Sequence, residues 1–241
     1  MTSTVPGPDE ADRVDLWVDP LCAWTWITYQ WLRQAGSTRP LTLSVRPTGL
    51  GYLEGAPGRD QEDPDFLERA PGPVRVLAAA EAGHGPEAVA ALYEAIARRF
   101  HGAGGIYDDL YARTRGLTQE AKRRLQVTLL EQAADAVAAA LEETGLPRAL
   151  IEAMSSTAWD GALRAAHESI PRDGRALDVI GVPVVSVNGG PGVFGPVLRA
   201  VPAGQRAGRL WDGFRALAQE EAFLEMRRVT PRPAPKPELL G

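Results

Sequence analysis

The chain has 241 residues, 44% of them hydrophobic and 24% charged, which is typical of a globular protein long enough to bury a substantial core. Its formal net charge of −5 and isoelectric point near 5.3 argue against a protein that mainly binds nucleic acid or coats an anionic membrane, because both need a concentrated basic surface. The single cysteine, Cys22, excludes any disulfide bond within the chain.

The first predicted elements are a strand, a helix and a second strand. Residues 14–18 (VDLWV) alternate apolar and polar side chains before a DP turn, which predicts a strand. Apolar residues at helical spacing then predict a helix from Cys22 to Gln34, with Gly36 as its C-terminal stop. The alternating stretch LTLSVRP, residues 41–47, predicts the second strand.

The middle of the chain is Ala-rich and has helical periodicity. Four such stretches (VRVLAAAEAG, PEAVAALYEAIARRF, TQEAKRRLQVTLLEQAADAVAAALEET and AWDGALRAAHESI) predict a helical block over about 62–170. Thr118 is placed to cap the longest helix, and acidic residues follow in its first turn.

The last part of the chain returns to strands and ends in a helix and a tail. VPVVSVNG from Val182 and GVFGP from Gly192 predict two strands joined by the turn NGGPG. A final helix is predicted over Gly204–Arg227, followed by a Pro-rich tail over 229–241.

The order of these elements predicts an α/β protein with a thioredoxin-like fold and a large all-helical insertion. A βαβ unit followed by a hairpin and a helix is the thioredoxin topology, and the helical block separates its two halves. We therefore predict a thioredoxin-like domain of residues 12–61 and 171–228, a helical insertion domain of residues 62–170, and the Pro-rich tail.

Cys22 lies at the predicted junction of the first strand and the first helix. Unpaired N–H groups and the helix dipole stabilise a thiolate there, so we expect a lowered thiol pKa and a nucleophilic Cys22. Thr25 occupies the position where a C-x-x-C protein has its second sulfur, and its hydroxyl is expected to donate a hydrogen bond to the thiolate. The plainer alternatives are a buried inert thiol and a helix-surface threonine.

Seven segments give the chain a resemblance to a known family. These are VDPLCAWTWITYQWL, GPVRV, AEAGHG, LYEAIARRFH, GVPVVSVNG, FGPVL and AGRLWD. In this order they resemble the mycothiol-dependent nitroreductase family of actinobacteria, within the DsbA-like thioredoxin superfamily. That superfamily also contains 2-hydroxychromene-2-carboxylate isomerases and kappa-class glutathione transferases.

The resemblance implies a thiol site at Cys22 and a cis Val182–Pro183 bond facing it, with the Val182 backbone offered to a substrate or thiol. The chain departs from the family in two places. The family carries C-P-W-C where this chain has Cys-Ala-Trp-Thr, and the region 104–145 is longer here. A site with one thiol must be resolved by an external thiolate, and mycothiol is the expected co-substrate.

The candidate substrate-binding and thiol-binding residues lie around the CAWT motif, in the loop after the second strand, and at the start of the third strand. Trp24 and Trp26 are two residues apart on one helix, so only one is expected beside the sulfur. Tyr52 could enter the pocket or pack elsewhere. The full set is Pro20, Ala23, Trp24, Trp26, Tyr52, Val182 and Pro183.

The sequence thus predicts a monothiol oxidoreductase that reduces, or exchanges with, a small electrophile. The alternatives are an isomerase or transferase that activates a bound thiol cofactor, and a non-catalytic binding protein. We expect no tightly bound cofactor. We also expect no metal, since His84, His101 and His167 lie on separate predicted helices. The expected partners are small molecules only, without nucleic acid or membrane, for a monomer or homodimer. Without a signal-peptide pattern or an apolar span, the expected location is the cytoplasm.

Overall fold

The computed structural model describes residues 11–49, 69–172, 181–229 and 234–240. The strands are β1 (Asp12–Val18), β2 (Leu41–Pro47), β3 (Val184–Val187), β4 (Val193–Phe194), β5 (Val201–Pro202) and β6 (Leu239–Leu240). The α-helices are α1 (Ala23–Gly36), α2 (Gly72–His101), α3 (Leu110–Thr114), α4 (Gln119–Glu143), α5 (Asp160–Glu168) and α6 (Gly204–Ala218). Two 3₁₀ helices, Arg148–Ser155 and Thr157–Trp159, precede α5.

The main sheet has the strand order β2-β1-β3-β4. β1 and β2 are parallel, with α1 as their connection, whereas β3 is antiparallel to both β1 and β4. This βαβ unit with a following hairpin and a closing helix is the thioredoxin topology. The helices from α2 to α5 form an insertion in the chain between β2 and β3. The predicted fold, thioredoxin-like with a helical insertion, is confirmed.

Aromatic packing joins α1 to α6 on one face of the sheet. Trp31 is fully buried, with its ring centroid 6.2 Å from that of Trp211 and 5.9 Å from that of Phe214. Its indole Nε1–H donates to the carbonyl of Ala207 at 3.1 Å, so the polar edge of the ring is satisfied inside the core. Truncating such a side chain would cost about 3–5 kcal/mol. Trp31 is thus a core residue, as its helical spacing indicates.

A polar network fixes one end of β1. The buried carboxylate of Asp12 accepts from Asn188 at 2.9 Å and from Arg215 of α6 at 2.8–3.0 Å. The Asn188 side chain in turn accepts from the main-chain N–H of Arg13 at 2.8 Å. Because each buried polar atom in this group has a partner, β1, the end of β3 and α6 are held in one register.

The helical insertion is anchored to the sheet and to itself by buried groups. Trp17 of β1 donates its Nε1–H to the carbonyl of Ala166 in α5 at 2.9 Å. Buried Arg75 of α2 forms a two-pronged ion pair with Asp160 at the start of α5, with N–O distances of 2.7 and 3.0 Å. The insertion is therefore packed against the thioredoxin-like half rather than tethered loosely to it.

Several element boundaries differ from the sequence predictions. The stretches VRVLAAAEAG and PEAVAALYEAIARRF form one helix, α2, which kinks at Gly85, whose φ of 83° is non-helical, and at Pro86. α6 ends at Ala218 and not at Arg227, because Gln219 caps it and the buried stripe of α6 stops at Phe214. Thr118 does cap α4, accepting from the N–H of Ala121.

The end of the C-terminal tail forms a short strand. Its strand β6 pairs in parallel with β5, through N–H groups of Val201 and Ala203 that donate to Glu238 and Leu240 at 2.9 Å. No helix within the described ranges is both long and apolar enough to span a bilayer.

Candidate active site

Cys22 is the N-cap residue of α1, where the chain turns from β1 into the helix. A tight turn forms this junction: the N–H of Cys22 donates to the carbonyl of Asp19 at 3.0 Å, and the carboxylate of Asp19 accepts from the N–H of Leu21 at 2.8 Å. The predicted strand-to-helix placement of the thiol is therefore what the structure shows. Cys22 is only 8% exposed.

The sulfur faces the strand entry that the resemblance indicated. The Val182–Pro183 peptide bond is cis, and the thiol of Cys22 donates weakly to the Val182 carbonyl, with an Sγ–O distance of 3.6 Å. Cys22, Val182 and Trp24 belong to a small apolar cluster, separate from the main core, that also contains Trp17, Ile170 and Val184. The sequence motifs CAWT and GVPV thus meet across the first and third strands.

The pKa of Cys22 is raised above its ordinary value, so the expected lowering is wrong for the resting protein. Burial of the thiol is the largest cause, and the negative charge of Asp19 adds to it. The Thr25 hydroxyl, the Thr25 N–H and the Trp24 N–H all act in the opposite direction and lower the pKa. The helix N-terminus therefore does favour the thiolate, but desolvation outweighs it.

Thr25 is fully buried beside the sulfur, which rules out a helix-surface role. Its hydroxyl is close enough to lower the pKa of Cys22, yet Oγ1 completes no hydrogen bond with any described residue. While Cys22 is a neutral thiol that donates to Val182, its sulfur is only a weak acceptor for the Thr25 hydroxyl. A thiolate would accept a hydrogen bond from that hydroxyl. The unpaired hydroxyl is consistent with a site built for an anionic sulfur.

The remaining candidate residues are distributed unevenly. Trp24 is half-buried against the Cys22 cluster, while Trp26 is buried in the main core and stacked on Tyr29 at 5.8 Å. Trp26 therefore lies outside the Cys22 cluster, and its role in substrate binding stays a prediction. Ala23 is half-buried at the first position of α1. Tyr52 lies outside the described residues.

Sequence reasoning missed a histidine beneath the thiol loop. His101, at the end of α2, is buried, and its Nε2 lies 2.8 Å from the carbonyl oxygen of Pro20. Because a carbonyl oxygen can only accept, Nε2 carries the proton. Burial lowers the pKa of His101 to about 4, so the ring is neutral at physiological pH.

A glycine turn places an aromatic lid on this histidine. A Cβ atom at Gly102 or Gly105 would lie 2.5–2.7 Å from main-chain oxygens at the end of α2. The chain reversal at HGAGG therefore requires glycine at both positions. The turn brings Tyr107 back over His101, with ring centroids 5.5 Å apart and planes at 29°. In the sequence, the aromatic residues Phe100 and Tyr107 on either side of the glycine-rich turn could have indicated this arrangement.

Tyr93 is a second functional candidate that the sequence did not single out. It lies eight residues before His101 on α2, and its buried hydroxyl has no hydrogen-bond partner among the described residues. Burial raises the pKa of Tyr93 well above its usual value, and the negative charge that Cys22 would carry raises it further. The phenol therefore remains a proton donor near the sulfur.

No group of metal-binding side chains occurs within the described ranges. The site instead combines one thiol, neutral hydroxyls and apolar walls, with Asp19 as the nearby carboxylate. Such a site is suited to covalent sulfur chemistry on a small molecule.

Comparison with known proteins identifies a family and, among solved structures, a distant similarity. A model of the family described as "Rv2466c-like: Mycothiol-dependent nitroreductase Rv2466c" matches residues 21–113 and 111–228. The two stretches include Cys22 and the Val182–Pro183 bond, and they meet within the region 104–145.

A solved structure from Pseudomonas syringae, titled a "putative protein-disulfide isomerase", is 16% identical, with 78% of this chain and 87% of that chain covered and a TM-score of 0.36. A similarity with that TM-score does not support a fold assignment. The assignment of the fold therefore rests on the strand order.

Proposed function

The chain belongs to the Rv2466c-like family of mycothiol-dependent nitroreductases, and on this basis we propose that it is a thiol-dependent oxidoreductase with Cys22 as its nucleophile. The observation that carries the proposal is the contact of the Cys22 sulfur with the Val182 carbonyl, next to the cis bond to Pro183. There a small thiol can lie along the Val182 backbone and present its sulfur to Cys22.

The single cysteine thiol determines how the cycle must close. In the proposed first half, the Cys22 thiolate becomes joined to one mycothiol in a mixed disulfide while the electrophilic substrate is reduced. In the second half, the thiolate of another mycothiol attacks the mycothiol sulfur of that bond, and Cys22 leaves as a thiolate. Two mycothiol molecules give up two electrons and two protons to the substrate and end as one disulfide. Thr25 cannot replace the second thiol.

The raised pKa of resting Cys22 requires that ionisation accompany binding. When the sulfur loses its proton, it can no longer donate to Val182, and the hydroxyl of Thr25 and the N–H groups of Trp24 and Thr25 become its donors. We assign Thr25 this donor role. The proton passes to solvent or to the substrate as it is reduced.

The binding roles follow from what surrounds the sulfur. We propose that Trp24 forms the apolar wall for the substrate, that Val182 and Pro183 bind the small thiol, and that Pro20 and Ala23 shape the floor. Tyr52 stays a prediction. Mycothiol is a co-substrate in this scheme and no cofactor remains bound. We place the reaction in the cytoplasm, where small thiols are kept reduced.

Trapping of the mixed disulfide tests the proposal. The protein is treated with mycothiol disulfide at neutral pH, and the intact mass is measured before and after reductant. We expect one mycothiol adduct that reductant removes, and none in Cys22→Ala. Failure of the folded wild type to form any adduct would reject Cys22 as the exchanging group.

A second candidate function is favoured by the protonation state of the site. Because burial keeps Cys22 a neutral thiol that donates to Val182, the residue could instead orient a bound thiol cofactor, as in an isomerase or transferase. Cys22→Ser would then retain most of the turnover, whereas the redox scheme requires its loss. Tight binding of small thiols without any turnover would instead identify a binding protein.

A further inference from the structure

The loop that carries Cys22 is held by hydrogen bonds of two kinds. Two of them lie inside the loop, from the N–H groups of Leu21 and Cys22 to Asp19. A third comes from the helical insertion, where His101 donates to the carbonyl of Pro20 at 2.8 Å. The insertion therefore contacts the main chain two residues before the thiol.

His101 is itself fixed more firmly than a surface side chain would be. Its ring is stacked on Tyr107 and lies edge-on to Phe100, at a centroid distance of 6.1 Å. The N–H groups of Ile106 and Tyr107 donate back to Arg99 and Phe100, so the aromatic lid is tied to the same helix end. The bond to Pro20 therefore joins the loop to a rigid partner.

We propose that His101 is a positioning residue that holds the Cys22 sulfur in its buried place against Val182 through the Pro20 carbonyl. The catalytic half of this inference rests on the proposed function, since it makes His101 necessary for efficient thiol exchange. The other half concerns protection of the sulfur and does not depend on any reaction with mycothiol.

Loss of the His101 bond has two opposite consequences. Without it the Pro20 carbonyl loses its buried donor, and the loop can move outward so that this oxygen meets water. The sulfur is then more exposed, and a small alkylating agent reaches it faster. Exchange with mycothiol disulfide becomes slower, because the sulfur no longer faces Val182 beside the cis bond. A residue that only stabilised the fold would not separate these two rates.

The experiment compares three variants with the wild type at pH 7. His101→Leu removes the donor, His101→Gln keeps an N–H close to the place of Nε2, and Phe214→Leu weakens a buried position between α1 and α6 that does not contact His101. Iodoacetamide alkylation of Cys22 and formation of the mycothiol adduct are each followed by intact mass. Urea unfolding of the same samples gives the stability loss of each variant.

We expect His101→Leu to be alkylated about tenfold faster and to form the adduct about tenfold more slowly, as the loss of one buried hydrogen bond allows. His101→Gln should stay within about threefold of the wild type in both rates. Phe214→Leu should lose stability and leave both rates unchanged.

Other results overturn the proposal in distinguishable ways. Equal alkylation of His101→Leu and the wild type, or the same rate changes in Phe214→Leu as in His101→Leu, would remove the positioning role. Faster alkylation with no mycothiol adduct in any protein, the wild type included, would retain the protective half and reject the proposed function. If His101→Leu fails to fold, the histidine ¹⁵N resonances of the wild type decide instead. The Nε2–H tautomer should be present and shift on alkylation of Cys22, and an unmoved resonance would refute the coupling.

Discussion

Replacement of Thr25 by valine should lower the reactivity of Cys22 without lowering the stability of the protein. Valine has nearly the same shape as threonine, so the fully buried site remains filled. The Oγ1 atom has no hydrogen-bond partner among the described residues, so its removal breaks no bond of the resting state. Deleting an unpaired buried hydroxyl is neutral or stabilising by about 1 kcal/mol.

The same substitution acts strongly on the thiolate. The Thr25 hydroxyl lowers the pKa of Cys22, and a hydrogen bond to a charged group contributes about 1.5–3 kcal/mol. Since one pKa unit corresponds to 1.36 kcal/mol, Thr25→Val should raise the pKa of Cys22 by about one to two units. At neutral pH the thiolate population, and with it the alkylation rate, should fall about ten- to a hundredfold.

The assay is the rate of iodoacetamide alkylation of Cys22 between pH 6 and pH 10, with urea unfolding measured on the same protein. Thr25→Ser is the matched control, since it keeps the hydroxyl and should retain a profile close to that of the wild type. Superimposable pH profiles for the valine variant and the wild type would refute the donor role of Thr25. A large stability loss in the valine variant would show that the hydroxyl is satisfied in the resting state.

Three further perturbations test other parts of the structure. Thr25→Cys should restore a dithiol, so oxidation should give an internal disulfide and no lasting mycothiol adduct; a stable adduct in intact-mass spectra would show that position 25 does not reach the sulfur. Asp160→Asn should cost about 3 kcal/mol of unfolding free energy in urea titrations, because it removes a carboxylate that pairs with the buried Arg75 guanidinium, whereas a loss within error would mean that other groups or water replace the carboxylate. The stability of the wild type relative to His101→Gln should fall by about 3 kcal/mol as the pH drops from 6.5 to about 4, since unfolded His101 takes up a proton at its ordinary pKa while the folded ring resists until about 4. Parallel pH dependence of the two proteins would mean that His101 is not held neutral by burial.

The sequence indicated the outline of the site because its parts are local. A strand, a turn and a helix in immediate succession place Cys22 at the N-terminus of α1 whatever the rest of the chain does, and the GVPV segment marks the facing strand. The placement of β3 beside β1 follows from the topology rather than from any single residue. The strand-to-helix junction and the topology needed only nearest neighbours along the chain and the order of elements, whereas the cis Val182–Pro183 bond facing the sulfur was implied by the family resemblance.

The parts that the sequence did not indicate depend on packing between distant segments. The pKa of Cys22 is decided by how much water the Ile170, Val182 and Val184 side chains exclude, and no local pattern reports that. His101 reaches Pro20 from 81 residues away, through a helix whose length and kink appear only in three dimensions. The predicted C-terminal helix is longer than α6 for a related reason, since helical spacing continues beyond Ala218 into residues 219–229, which are mostly exposed.

Release of mycothiol from the Cys22 mixed disulfide tests the central claim most directly. The adduct is formed, freed of excess reagent, and mixed with increasing concentrations of reduced mycothiol, and intact mass is followed over time. With one thiol in the chain, the release rate should rise in proportion to the added thiol and should vanish at zero thiol. Release at a rate independent of added thiol would contradict the monothiol cycle.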